Sequence, residues 1–67
     1  MTLSEQIAML KQGFDLSTED GRARCYLSSM LRSITKDPCK IDSKAITMLG
    51  IELRVTEAAM LRCIENL

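Results

Sequence analysis

The sequence predicts an all-α protein: one domain over residues 1–67, built as a small three-helix bundle or, alternatively, a four-helix one, and expected to be dimeric. Three observations point there. Strand-favouring residues are scarce: Val55 is the only valine, and one Tyr, one Phe and no Trp leave the apolar volume to Leu, Ile, Met and Ala. Apolar residues recur at gaps of three and four, the spacing of one helix face. Capping residues stand before these stretches, and Gly or Pro interrupts them.

The first helix is expected from Leu3 to about Gln12. Thr2-Leu3-Ser4-Glu5 fits a capping box, with Thr2 as N-cap and Glu5 reaching back to the first amides. Ile7, Leu10 and Phe14 form its apolar stripe, and Gly13 stands where a left-handed residue closes a helix.

Asp15-Leu16-Ser17-Thr18-Glu19-Asp20 reads as a loop that carries a second start signal, and a second helix is expected from Glu19 to about Thr35. Ser17 or Thr18 can cap it, and Glu19 and Asp20 place acid in its first turn, where the helix dipole favours it. Its expected buried stripe is Ala23, Tyr26, Leu27, Met30, Leu31 and Ile34. Lys36-Asp37-Pro38-Cys39-Lys40 interrupts the pattern, because Pro38 disfavours helical geometry at Asp37. Asp42 or Ser43 then offers a new cap.

The last segment carries the clearest period. Ile46, Leu49, Leu53, Thr56, Met60, Cys63 and Leu67 follow one another at alternating gaps of three and four, a heptad seam with one polar and one thiol position. One helix from about Ser43 to Asn66 is one reading. The other is a break near Arg54-Val55-Thr56, with Thr56 capping a fourth helix and Val55 and Met60 as its hydrophobic staple. The spacing stays in phase across Thr56, which favours the single helix. Gly50, which costs about 1 kcal/mol inside a helix, marks a close helix contact. The seam is the candidate interface, and core packing within one chain is its competing role.

A domain of 67 residues buries only about 60% of the surface that its unfolded chain exposes, so such domains usually carry a staple. The cysteines, Cys25, Cys39 and Cys63, are odd in number and widely spaced, and the chain has no histidine. That composition disfavours both a disulfide framework and a zinc site, and no metal or cofactor is expected. Cys25 and Cys63 read as small core hydrophobes and Cys39, after Pro38, as the exposed thiol. Oligomerisation is the staple that remains.

Net charge is zero but unevenly spread. Residues 1–20 hold one basic and four acidic residues. Residues 21–44 hold six basic residues, Arg22, Arg24, Arg32, Lys36, Lys40 and Lys44, against two acidic ones. This stretch is a candidate basic face for an acidic partner or nucleic acid, although solvated helix faces paired with the chain's own acidic ends are the more ordinary reading. Neutral overall charge, the lack of an aromatic stacking platform and a turn too long for a helix-turn-helix all count against nucleic acid.

No histidine is present for acid–base work, the three glycines lie far apart, and no carboxylate pair departs from capping and surface use. An enzyme is therefore not expected. No apolar run approaches the roughly 20 residues of a membrane span. Met1 to Glu5 lacks the basic and apolar regions of a signal peptide, so a cytoplasmic location is expected.

The order of elements resembles the small acid- and biofilm-response regulators of enteric bacteria, the two-component connector proteins. The resemblance rests on Ile7 to Leu10, a polar loop with Leu16, the run Tyr26-Leu27 to Met30-Leu31, and Ser43-Lys44 leading into Ile46, Leu49 and Glu52-Leu53. It spans about two-thirds of the chain. The last segment is shorter than the family's, and Pro38 and the cysteines have no counterpart in it. The resemblance implies an all-helical homodimer that binds and modulates a regulatory protein. The expected function is thus a small non-enzymatic regulator or adaptor that binds protein partners, a second copy of itself included. The alternatives are a chaperone-like partner of an unstable subunit, as in secretion systems, a transcription modulator touching DNA through the basic residues, and a small inhibitor of another protein.

Overall fold

The computed structural model describes residues 2–34 and 41–66, and over these it is all-helical. Four helices follow one another: α1 (Leu3–Lys11), α2 (Glu19–Ile34), α3 (Ser43–Leu53) and α4 (Glu57–Glu65). The longest helix, α2, is central. It packs against α1, α3 and α4, α1 also meets α3, and α4 meets α2 alone.

Local signals set the helix ends. Thr2 caps α1: its Oγ1 accepts the Glu5 amide at 3.2 Å and donates to Glu5 Oε1 at 3.0 Å. Gly13 follows the helix at φ +86°, with open space where a Cβ would stand, so backbone conformation and not crowding requires glycine there. Thr18 caps α2, accepting the Gly21 amide at 3.0 Å. The preceding loop folds back onto the first turn. A Cβ on Gly21 would lie 1.8 Å from the Asp15 carbonyl oxygen, and Arg22 Nη1 donates to Leu16 O at 3.0 Å.

Asp42 holds the N-cap position of α3 without a capping bond from its side chain. It is fixed instead from α1. The buried Gln6 accepts the Asp42 amide at 3.0 Å and donates through Nε2 to Asp42 Oδ2 at 3.4 Å. This pair of bonds ties the start of α3 to α1 across 36 residues of chain.

The single helix expected from Ser43 to Asn66 does not form. Arg54 turns left-handed, at φ 52° and ψ 46°, and closes α3. Thr56 opens α4, its Oγ1 accepting the Ala59 amide at 3.2 Å. The reason is reach. A straight helix over 43–66 would measure about 36 Å at 1.5 Å per residue, longer than α2, whose 16 residues span about 24 Å and on which both halves pack. Its two halves could not both lie on α2, and the bend lets them do so. Periodicity alone does not reveal this, because the apolar spacing remains in phase through the bend.

The core joins Ile7 and Leu10 of α1, Cys25 of α2 and Ala45, Ile46, Leu49 and Leu53 of α3. Phe14, Leu16, Tyr26, Met30 and Val55 pack around it, half-buried. The close contact marked by Gly50 is made with Tyr26, whose ring carbons Cε1 and Cζ lie 2.9 Å from the place a Cβ would take.

The stripe expected on α2 is only partly buried. Ala23 is buried and Tyr26, Leu27 and Met30 are half-buried, but Leu31 is 51% and Ile34 77% exposed. The buried centre of α2 is instead Cys25 and Ser29, which face α1 and α3. Both polar atoms are satisfied there: Cys25 Sγ donates to Leu10 O at 3.3 Å, and Ser29 Oγ to Cys25 O at 2.8 Å. A small thiol and a hydroxyl let the helices approach closely, a role that a reading by hydrophobicity assigns to larger side chains.

Candidate interaction surface

The expected interface residues separate into two groups. Ile46, Leu49 and Leu53 are buried in the protein's own core. Thr56 is exposed and acts as the cap of α4, while Met60 and Cys63 are half-buried. Leu67 lies outside the described residues. The bend at Arg54 thus separates an inner part of the seam from an outer part.

The outer part belongs to α4, which buries a single described residue, Ala59, against α2. Polar contacts supplement this packing. Arg62 Nη2 lies 3.4 Å from Glu19 Oε2 and 3.4 Å from Asp20 Oδ1, and Thr56 Oγ1 donates to Glu19 Oε1 at 2.7 Å. These groups are exposed, and exposed ion pairs contribute only about 0.2–1 kcal/mol each. The acid at the start of α2 therefore serves two purposes. It complements the helix dipole, as the sequence implies, and it anchors α4.

A shallow apolar groove runs between the two helices, lined by Arg24, Leu27, Ser28, Leu31 and Cys63. In addition to Leu31 in the groove wall, α2 exposes Ile34, and α4 exposes Leu61 and Ile64, at 53% and 49%. Leu61 and Ile64 are not among the residues of the heptad seam. Their signal lies in α4 itself, where apolar residues 58–61, 63 and 64 occupy more of the circumference than one neighbouring helix can cover. Met48 and Ile51 of α3 are also exposed.

The basic residues are not gathered on one face. Arg22 and Arg24 point about 160° apart around α2, two residues advancing about 200°. Arg22 is half-buried and engaged with the Leu16 carbonyl, Arg24 edges the groove, Arg32 is half-buried near the end of α2, and Lys44 is exposed on α3. Lys36 and Lys40 lie outside the described residues, as does Cys39. Lys11 pairs with Glu52, joining α1 to α3.

The thiols differ in setting. Burial pushes the Cys25 thiol up, against weaker opposing effects of Lys11 and the Ser29 hydroxyl, so Cys25 is a packed and protonated group. Cys63 is half-buried at the groove. At the surface, hydrogen bonds from the Ser17 hydroxyl and amide hold the Asp15 carboxyl below its ordinary range, a consequence of the turn before α2. Among the described residues no cluster of three or more Cys, Asp or Glu is placed to hold a metal ion, and no helix is long and apolar enough to cross a membrane. No family model, curated protein or solved structure matches the chain.

Proposed function

We propose that this protein is a small non-enzymatic regulator or adaptor of the cytoplasm, which works by helix-to-helix binding and binds a second copy of itself through the α2–α4 side. One observation carries the reading: α2 and α4 leave Leu31, Ile34, Leu61 and Ile64 about half or more exposed in a chain with little apolar surface to spare. A domain of this size gains most from covering such residues. Zero net charge adds no long-range repulsion between copies. The resemblance to the two-component connector proteins supports the same reading, since it implies a helical homodimer that modulates a regulatory protein.

Chemistry supports a binding role. The chain has no histidine, and its buried thiol is held protonated. The basic side chains diverge around α2, which favours individual contacts over a continuous track along a nucleic-acid backbone.

Molar mass by size-exclusion chromatography with light scattering, in reducing buffer over a concentration series, tests the proposal. A dimer mass that falls to monomer in the Leu61→Glu, Ile64→Glu double variant, with helicity by circular dichroism unchanged, is the expected result. A wild-type chain that stays monomeric up to high micromolar concentration would overturn self-binding.

A further inference from the structure

We infer that α4 is an exchangeable arm: the bend at Arg54 to Thr56 can straighten, so that α4 continues α3 and docks on the α2 of a second copy, whose α4 returns the exchange. This inference rests on the self-binding reading and specifies its partner as the same chain and its contact as the α2–α4 contact already described.

Four observations converge. First, α4 packs against α2 and no other helix, burying Ala59 alone, so detaching it leaves the α1–α2–α3 core intact. Second, the bend depends on Arg54, a non-glycine residue at φ 52°. An L-residue with a Cβ is disfavoured there by about 1–2 kcal/mol, and helix continuation relieves it. Third, the seam Ile46, Leu49, Leu53, Thr56, Met60 and Cys63 keeps its phase through the bend. A bent connection between independent helices has no need of that phase, whereas a continuous helix does. Arg54, Val55 and Thr56 include neither proline nor glycine, so nothing in the hinge forbids a helix. Fourth, the straightened helix, about 36 Å long, exceeds α2, whose 16 residues span about 24 Å. It must carry α4 off its own α2. The vacated α2 surface of each copy is then complementary to the arm of the other, which gives a closed two-fold dimer.

The exchange replaces each contact within the chain by the identical one between chains. What differs is the pair of hinges, which change from left-handed turns to helix, and the new surface formed where the two straight helices cross, which is where Leu61 and Ile64, left exposed by the α2–α4 contact itself, become covered.

Two experiments test this. The first compares Arg54→Gly with Arg54→Ala. Glycine relieves the left-handed turn and disfavours helix, so it weakens the dimer, on the order of tenfold or more over two hinges. Alanine keeps the cost of the turn and leaves the dimer as tight or tighter. Equal dissociation constants for the two variants would overturn the inference.

The second is a charge exchange. Arg62→Glu in one chain sets like charges against Glu19 and Asp20. The double variant Glu19→Lys, Asp20→Lys in another sets like charges against Arg62. Either homodimer is mismatched at both arms, while an exchanged heterodimer matches at both. Native mass spectrometry of the mixture should show the heterodimer in roughly tenfold excess over its statistical share, and circular dichroism of each chain alone confirms that it folds. Statistical mixing, or homodimers alone, means that α4 docks on its own α2. In that case exchange fails while self-binding stands. A wild-type protein that is monomeric throughout rejects both.

Discussion

The α1–α3 side and the α4 side of this molecule rest on the same central helix in different ways. On the α1–α3 side, seven apolar residues from three helices close into a buried core, and Gln6 fastens the start of α3 to α1 by two hydrogen bonds. On the α4 side, one buried alanine, exposed ion pairs and a cap shared with Glu19 hold the helix. Burial scales with apolar area, so the stability of the fold resides on the first side. The second side is an apolar-rich helix that packs on α2 alone and adds no residue to the main buried core, and such elements open at lower free energy than the core. The contrast teaches that structure and interaction are divided along the chain, with the boundary at the left-handed Arg54.

The largest effect expected from this division is at Leu49, fully buried at the centre of the core. Leu49→Ala should lose about 2–5 kcal/mol in urea denaturation, enough to leave a domain of this size largely unfolded. Ala59→Ser, at the one buried position of α4, should lose well under half of that. Comparable losses at the two sites would break the comparison.

Gly50 gives the next effect and sharpens the account of how α2 and α3 approach. A methyl group there meets the Tyr26 ring at 2.9 Å, and both elements are helical, so the ring cannot withdraw freely. Gly50→Ala should therefore destabilise by about 1–3 kcal/mol, despite the gain of about 1 kcal/mol in helix propensity. In a Tyr26→Leu background the clash is removed and the same substitution should become neutral or stabilising. Thermal denaturation of the four proteins of this cycle decides it.

The inner half of the molecule is largely legible in the sequence. Thr2, Gly13, Asp42 and Gly50 each act as local chemistry predicts: N-cap, left-handed terminator, N-cap position of α3 and close-contact residue. Thr2, Gly13 and Gly50 are decided by neighbours in sequence or by the absence of a Cβ, whereas Asp42 is held at its cap position by Gln6 of α1. The outer half is legible only in part: the second reading of the last segment places the break at Arg54 to Thr56 and the cap at Thr56, as found, but two things hide the rest. The spacing from Leu53 to Met60 is the same for a straight helix as for two helices in phase, and only the length of α2 requires a bend. And Leu31 and Ile34 have every local mark of core residues. They are exposed because α2 receives α1 and α3 on the side of Cys25 and Ser29, a tertiary fact that overrides hydrophobicity. The basic residues show the same limit, since a charge count along the chain says nothing of the angle between Arg22 and Arg24 around the helix.

At the hinge the expected effect is smaller and local. Thr56→Ala removes the cap of α4 and the bond to Glu19, a loss of about 1 kcal/mol. Because α4 meets only α2, the loss should appear as faster amide hydrogen exchange confined to 57–65, with the amides of α1 and α3 unchanged. Uniform acceleration across all four helices would mean that α4 folds as one unit with the core.

The smallest effect is invisible at neutral pH and concerns Cys25. Its thiol is raised above the ordinary value by burial, with Lys11 and Ser29 opposing. A group whose ionisation is harder in the folded state binds its proton more tightly there. Its contribution to stability is thus complete below the thiol's unfolded value, near about 8.5, and is lost as pH rises through the folded value. The stability of the wild-type chain should be flat in this respect at neutral pH and should decline in the alkaline range, where Cys25→Ala, though less stable throughout, should decline less steeply. The same burial makes Cys25 unreactive toward a thiol reagent in the native state, while Cys63, half-buried on α4, reacts before it. If Cys25 were labelled as fast as Cys63, the core side would open as readily as the α4 side, and the division of the molecule at Arg54 would have no energetic content.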